Sequence, residues 1–136
     1  LKLAAPCLIQ LPRFYDLRGN LSFIEEDTHL PFRLRRVYWI YDVPGGEQRG
    51  GHAFRETEEL IVSLSGSFDI VLNDGKDEWR FMLNRSYNGV LVPKMIWRTL
   101  ENFSTNSLAL ILSSTDYSED DYIRDWEEFI RMNRNK

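Results

Sequence analysis

The chain has one cysteine, two histidines, no long apolar run and no surplus of positive charge. Each shortage removes a class of function. Cys7 has no second cysteine to pair with, so no internal disulfide can form. A formal charge of -4 and a pI near 5.2 argue against nucleic-acid binding, which needs a basic surface to displace the counterions of phosphates. The one basic run, "RLRR" at 33 to 36, is too short to change that. No stretch has the length of a membrane span or the layout of a signal peptide, so no membrane partner and a cytoplasmic location are expected. Repeats, low-complexity tracts and linkers are missing as well. A chain of 136 residues, 43% hydrophobic and 28% charged, is then expected to form a single domain over 1–136 with a real core.

What the chain does have is a succession of short apolar segments. "APCLIQLPRF", "GNLSFIEE", "LRRVYWIYDV", "EELIVSLSG", "SFDIVLNDG", "EWRFMLN", "NGVLVP", "MIWRTLENF" and "SLALILSS" are rich in β-branched, aromatic and Leu residues. Gly, Pro, Asn or Asp bounds each of them, which is an all-β pattern. Ser65-Gly66 and Asn73-Asp74-Gly75 mark hairpins, where positive φ is cheap. Some nine strands at this spacing predict a sandwich or a jelly-roll barrel over about residues 1–115. The period changes only at the end. In "SEDDYIRDWEEFIRMNRNK", Tyr122, Ile123, Trp126, Phe129 and Ile130 recur at helical spacing behind Ser118 as N-cap, so a helix is predicted over about 118–133. Its aromatic stripe is read as packing against the barrel.

One stretch carries candidate chemistry. In "RGGHAFRETEEL", His52 and Phe54 lie two apart and share a face if the segment is a strand, pointing inward if the strand lines a barrel. His52, Phe54, Glu59 and Gly66 fall on the spacing of the first motif of the cupins, small jelly-roll barrels, with Phe54 where a second histidine is usual. "PKMIWRTLEN" resembles the second cupin motif: Pro93 and Asn102 fit, Met95 replaces a Gly, and Arg98 stands where a histidine ligand is usual. Two of the four ligand positions are therefore lost, and a guanidinium has no lone pair to offer a metal. His29, in "EDTHLPF", reads as a loop residue. The fold expected is a cupin-type jelly roll with a C-terminal helix and with neither metal nor cofactor.

A narrower resemblance follows from "YDLRGNLSFIEE", "LPFRLRRVYWIYDVPGGEQRGGHA", "LSGSFDIVLNDG" and "DDYIRDWEEF". These segments, in this order and over nearly the whole chain, resemble the sugar-nucleotide 3,4-ketoisomerases, metal-free cupins that act on dTDP-4-keto-6-deoxy-D-glucose. The resemblance implies a dTDP-linked keto-sugar as partner, proton transfer by His52, and Tyr38 as acid or as donor to an enediolate oxygen. It also implies a homodimer that exchanges N-terminal strands, for which "CLIQLPRF" is apolar enough. Arg36 shares a strand face with Tyr38 and is a candidate for the pyrophosphate, as are Arg49 and Arg18. Arg98 is placed either on a sugar oxygen or in an ion pair with Glu59. Trp97 is placed either on a sugar or thymine ring or in the core.

The departures from the family pattern are Phe54 for a second His, Glu59 for a usual Gln, and Leu91 where a Tyr is common. Phe54 can neither move a proton nor donate a hydrogen bond. Either Glu59, against an apolar wall, takes over with a raised pKa as the partner of His52, or it pairs with Arg98 or Arg49 and the chemistry is lost. The function expected is keto-sugar isomerisation in deoxy- or amino-sugar biosynthesis for surface polysaccharide. The alternatives are a related epimerase or tautomerase that uses Glu59, and a sugar-nucleotide-binding protein without catalysis.

Overall fold

The computed structural model describes residues 5–134. Twelve strands follow one another: β1 (Cys7–Gln10), β2 (Arg13–Phe14), β3 (Leu21–Ser22), β4 (Arg36–Ile40), β5 (Arg49–Phe54), β6 (Glu59–Ser65), β7 (Phe68–Asn73), β8 (Glu78–Leu83), β9 (Asn88–Val92), β10 (Trp97–Glu101), β11 (Leu108–Ser113) and β12 (Tyr122–Ile123). One α-helix, α1 (Trp126–Arg134), ends the described chain. Two five-stranded sheets form, in the orders β1-β9-β6-β11-β4 and β12-β5-β10-β7-β8, while β2 and β3 make a separate ribbon. The pairings within the two large sheets are antiparallel, and the sheets face each other as a jelly roll without closing into one hydrogen-bonded barrel. No helix among the described residues is long and apolar enough to cross a membrane.

The alternation seen in the sequence becomes the wall of the core. Ile61, Val90 and Ile111 from the first sheet meet Phe68, Ile70, Leu72 and Leu100 from the second. Each such side chain contributes about 1.5–3 kcal/mol by leaving water. The other face of the first sheet is apolar too, since Leu60, Val62, Leu91 and Leu112 are covered by Leu11, Ile24, Leu30 and Phe32 from the N-terminal segment. Leu91 is thus a core residue. The expected hairpins are present. At the first, Gly66 has φ +69° and a Cβ there would lie 2.5 Å from Ser104 Oγ. At the second, the Asn73 side chain accepts from the Gly75 N–H and the Asp74 side chain from Lys76 and Asp77.

One expectation about the C-terminus is corrected. The helix is shorter than 118–133: residues 119–121 make a single 3-10 turn, and Tyr122 and Ile123 are a strand paired with Phe54 and Ala53 of β5. Ser118 makes no capping bond; the cap is Asp125, whose carboxylate accepts the N–H of Glu127. The helical period misled because Ile123 and Phe129 are buried in one cluster from different elements. Of the two places open to Trp97, the structure shows the packed one. Along β10 only alternate residues point inward, and Arg98 and Leu100 do so. Trp97 therefore faces out, under α1, with its ring 5.3 Å from Trp126 and 5.7 Å from Phe129.

Candidate active site

Five strands bring one polar cluster together at an end of the sandwich. His52 on β5 is the register partner of Arg98 on β10. Between them and the next pair, Gly50 with Thr99, Gly51 is an extra residue in β5, a bulge that re-aims the strand. Both glycines have positive φ, and a Cβ on Gly50 would stand 2.9 Å from the Arg98 carbonyl. The "RGGH" segment thus curves tightly around the arginine and turns the His52 side chain inward.

Arg98 is the largest fully buried side chain, 1% exposed, and its compensation is complete. Its Nε donates to Glu59 Oε1 at 2.7 Å, with Nη2 at 2.7 Å from the same oxygen. Nη2 also donates to the Tyr38 hydroxyl at 3.0 Å. The other oxygen of Glu59 accepts from Tyr38 at 2.5 Å and from Ser113 at 2.8 Å. Burial by itself would weaken the protonated guanidinium, and Glu59 and Tyr38 outweigh it, so the Arg98 pKa is raised. Burial drives the Tyr38 phenol far above its usual range, Glu59 adds to this, and Arg98 opposes it.

His52 stands on the other side of the arginine. Its Nε2 lies 3.4 Å from Arg98 Nη1, a long contact, and its Nδ1 is buried without a partner. Phe54 and Tyr122 collar the ring at centroid distances of 4.8 and 4.9 Å. Burial first, and then the Arg98 charge, push the His52 pKa down to about 3. Both causes disfavour the imidazolium, so the imidazole is kept in its neutral form near pH 7. In front of it opens a cavity of about 420 Å³, lined by Tyr38, Arg49, His52, Arg98, Tyr122 and Arg124 among others. A second hollow of about 410 Å³ shares Trp39, Ile40, Gln48 and Arg49 with it.

The candidates from the sequence divide clearly. Tyr38, His52, Arg49 and Arg98 line one cavity, and Glu59 lies directly behind Arg98 and Tyr38. Glu59 bonds to Arg98, Tyr38 and Ser113 but not to His52, from which the guanidinium separates it. Of the two roles weighed for Glu59, the ion pair with Arg98 is the one the structure contains. Arg36 shares the inward face with Tyr38 but sits beside the cavity lining, its guanidinium 5.4 Å from the Tyr38 ring and 5.7 Å from that of Tyr117, with Nε buried and unpartnered. Arg18 is exposed between β2 and β3, bound to Asp16, away from the cavity lining. Trp97 is absent from the lining for the reason given above. His29 is a loop residue whose Nδ1 accepts the Glu25 N–H.

Residues 5–134 match the family model described as "FdtA: WxcM-like, C-terminal". The chain belongs to that family. This FdtA-like protein is 36% identical over 122 residues, 90% of its own length and 88% of the relative's, to the TDP-4-oxo-6-deoxy-α-D-glucose-3,4-oxoisomerase of Aneurinibacillus thermoaerophilus. Among solved structures, a 3,4-ketoisomerase from Helicobacter canadensis is 38% identical with a TM-score of 0.92, covering 95% of this chain and 97% of that one. A sugar 3,4-ketoisomerase from Thermoanaerobacterium thermosaccharolyticum, solved with TDP, is 30% identical with a TM-score of 0.93, over 98% and 97%. A histidine-to-asparagine variant of that enzyme is solved with TDP-4-keto-6-deoxyglucose, at 29% identity and a TM-score of 0.94 over the same shares.

Three features of this FdtA-like site escaped the sequence reading. Tyr122 and Arg124 were assigned to a helix because their segment fits its period, and only the pairing of β12 with β5 brings them to the cavity. The Asp-Tyr-Ile-Arg run was the available signal. Ser113 gave none, since its part is to donate to a carboxylate 54 residues earlier in the chain.

Proposed function

We propose that this FdtA-like protein is a cytoplasmic sugar-nucleotide 3,4-ketoisomerase whose substrate is a TDP-linked 4-keto-6-deoxyhexose. The supporting observation is a buried His52 facing a cavity beside a fixed guanidinium and a phenol. In this reading His52 removes the proton on C3, and the electron pair moves to the C4 oxygen, where Arg98 stabilises the enediolate. Tyr38 gives its proton to that oxygen and regains one from the C3 hydroxyl; Arg98 Nη2, at 3.0 Å, steadies the phenolate between the two steps. His52 then returns its proton to C4, leaving the ketone at C3. Glu59 holds Arg98 and Tyr38 in place for this exchange and does not itself touch the sugar.

The assembly proposed with this function is a homodimer that exchanges N-terminal strands. Within one chain β1 already pairs with β9, from Cys7 opposite Leu91 to Gln10 opposite Asn88, and a partner's strand can occupy the same register. Val37, Trp39 and Tyr41, exposed on the edge strand β4 and just beyond it, supply apolar surface that a second copy would cover.

The test is NMR with TDP-4-keto-6-deoxyglucose in deuterated buffer. The unmodified protein is expected to place deuterium at C3 and to form the 3-keto sugar, and His52→Asn to slow both by at least about a hundredfold. Binding without exchange, and no difference between the two proteins, would replace this reading with a sugar-nucleotide-binding protein that has no turnover. Phe54→His, run in parallel, shows whether a second imidazole at that position adds to the rate.

A further inference from the structure

The cavity in front of His52 offers a carbon-bound proton one base. Among the described residues that line it there is no carboxylate, no thiol and no second imidazole. Glu59 is cut off behind Arg98, its two oxygens taken by Arg98, Tyr38 and Ser113. Two residues beyond His52 on β5 stands Phe54, buried and without a proton to give or take. The same imidazole that removes a proton from the sugar must therefore also return one.

That imidazole is held where it is. His52 is 7% exposed. Phe54 meets its ring edge-on at 4.8 Å, Tyr122 packs on it at 4.9 Å, and those two rings close on each other at 4.7 Å. Arg98, itself fixed by Glu59 and Tyr38, keeps Nη1 3.4 Å from His52 Nε2. A ring packed this closely cannot swing to a new position without displacing its neighbours. Whichever face of the sugar His52 attacks, it stays on that face while the enediolate exists.

The configuration of the substrate then sets the configuration of the product. In a gluco-configured 4-keto sugar the C3 hydrogen points to one face of the ring, and in a gluco-configured 3-keto sugar the C4 hydrogen points to the other. When His52 takes the C3 proton, the C–H electron pair forms the C3–C4 double bond and the carbonyl pair moves to the C4 oxygen. Tyr38 moves a proton from the C3 oxygen to the C4 oxygen. The enediolate recovers its proton at C4 from His52, so that C3 is oxidised and C4 reduced within one molecule. Delivered from the face it left, the hydrogen at C4 is cis to its former place at C3.

We infer that His52 works on a single face of the sugar throughout, so that this protein converts a gluco-configured 4-keto sugar into the 3-keto sugar with an axial C4 hydroxyl, the galacto configuration. The inference rests on the ketoisomerase reading and adds to it the stereochemical course and the product. Phe54 contributes by packing against the base at a position from which no second base acts.

The test is incubation of the full chain with TDP-4-keto-6-deoxyglucose in ordinary water, sampled early in turnover and reduced with borodeuteride. Deuterium marks the carbon that was the ketone, so product carries it on C3 and unreacted substrate on C4. In the sugar labelled at C3, the coupling between H4 and H5 is small for an axial C4 hydroxyl and large for an equatorial one. The axial epimer is expected in at least about tenfold excess. An equatorial hydroxyl in a comparable or greater share overturns the single-face course and leaves the ketoisomerase reading standing. No sugar labelled at C3 overturns that reading itself.

Discussion

His52 is held neutral in the fold, and acid should expose the energy involved. Its pKa is pushed from the ordinary 6.5 down to about 3 by burial and by Arg98. Below pH 6.5 the unfolded chain binds a proton at this residue and the folded chain does not, so the unfolded state gains ground as the pH falls. The contribution is fully present above pH 6.5 and is drained until the pH reaches the folded value. Its slope approaches about 1.4 kcal/mol per pH unit, so about 2–3 kcal/mol is lost between pH 6.5 and 4.5. Urea unfolding at pH 7.0, 5.5 and 4.5 measures this for the unmodified protein and for His52→Gln, which has nothing to titrate there. With slopes of about 1–3 kcal/mol per molar urea, the midpoint of the unmodified protein should fall by about 1–2 M more than that of the variant. His29 is present in both proteins and cancels. Parallel pH dependences would refute the argument, because His52 would then take up its proton equally well in the folded state. A second signature follows in kinetics: a base held this low leaves no inflection near pH 6.5 in kcat/KM.

Two other outcomes follow from the same contacts. Glu59→Leu leaves the Arg98 guanidinium buried without its carboxylate and should cost about 3–5 kcal/mol in denaturant unfolding, most of which Arg98→Met in the same chain should restore. Trp97→Leu loosens the aromatic packing that joins β10 to α1 and should cost about 2–3 kcal/mol, while TDP affinity by titration stays within about twofold. A large loss of TDP affinity would return Trp97 to the ligand site.

Within the site, legibility followed the range of the interaction. His52 and Tyr38 could be read because each sits in a strand whose alternation fixes the face, so inward and outward neighbours separate without any knowledge of partners. Trp97 stayed open between ligand and core although the same rule applied to it. It adjoins Arg98, and only the alternation of β10 against its sheet neighbours shows that one of the two must leave the cavity. The part played by Glu59 depended on a distance. Whether a carboxylate serves a histidine or an arginine turns on which lies within about 3 Å, and Arg98 fills that space.

By itself the sequence determined the all-β class, the hairpins, the terminal helix as an amphipathic element, and the inward face that carries Tyr38 and His52. These rest on local periods and turn chemistry, which act between residues a few positions apart. The tertiary structure alone decided that Tyr122 and Ile123 form a strand, that Arg98 stands between His52 and Glu59, and that Arg124 reaches the cavity. Each of these depends on partners tens of residues away along the chain, and no local period encodes which distant segment a strand will join.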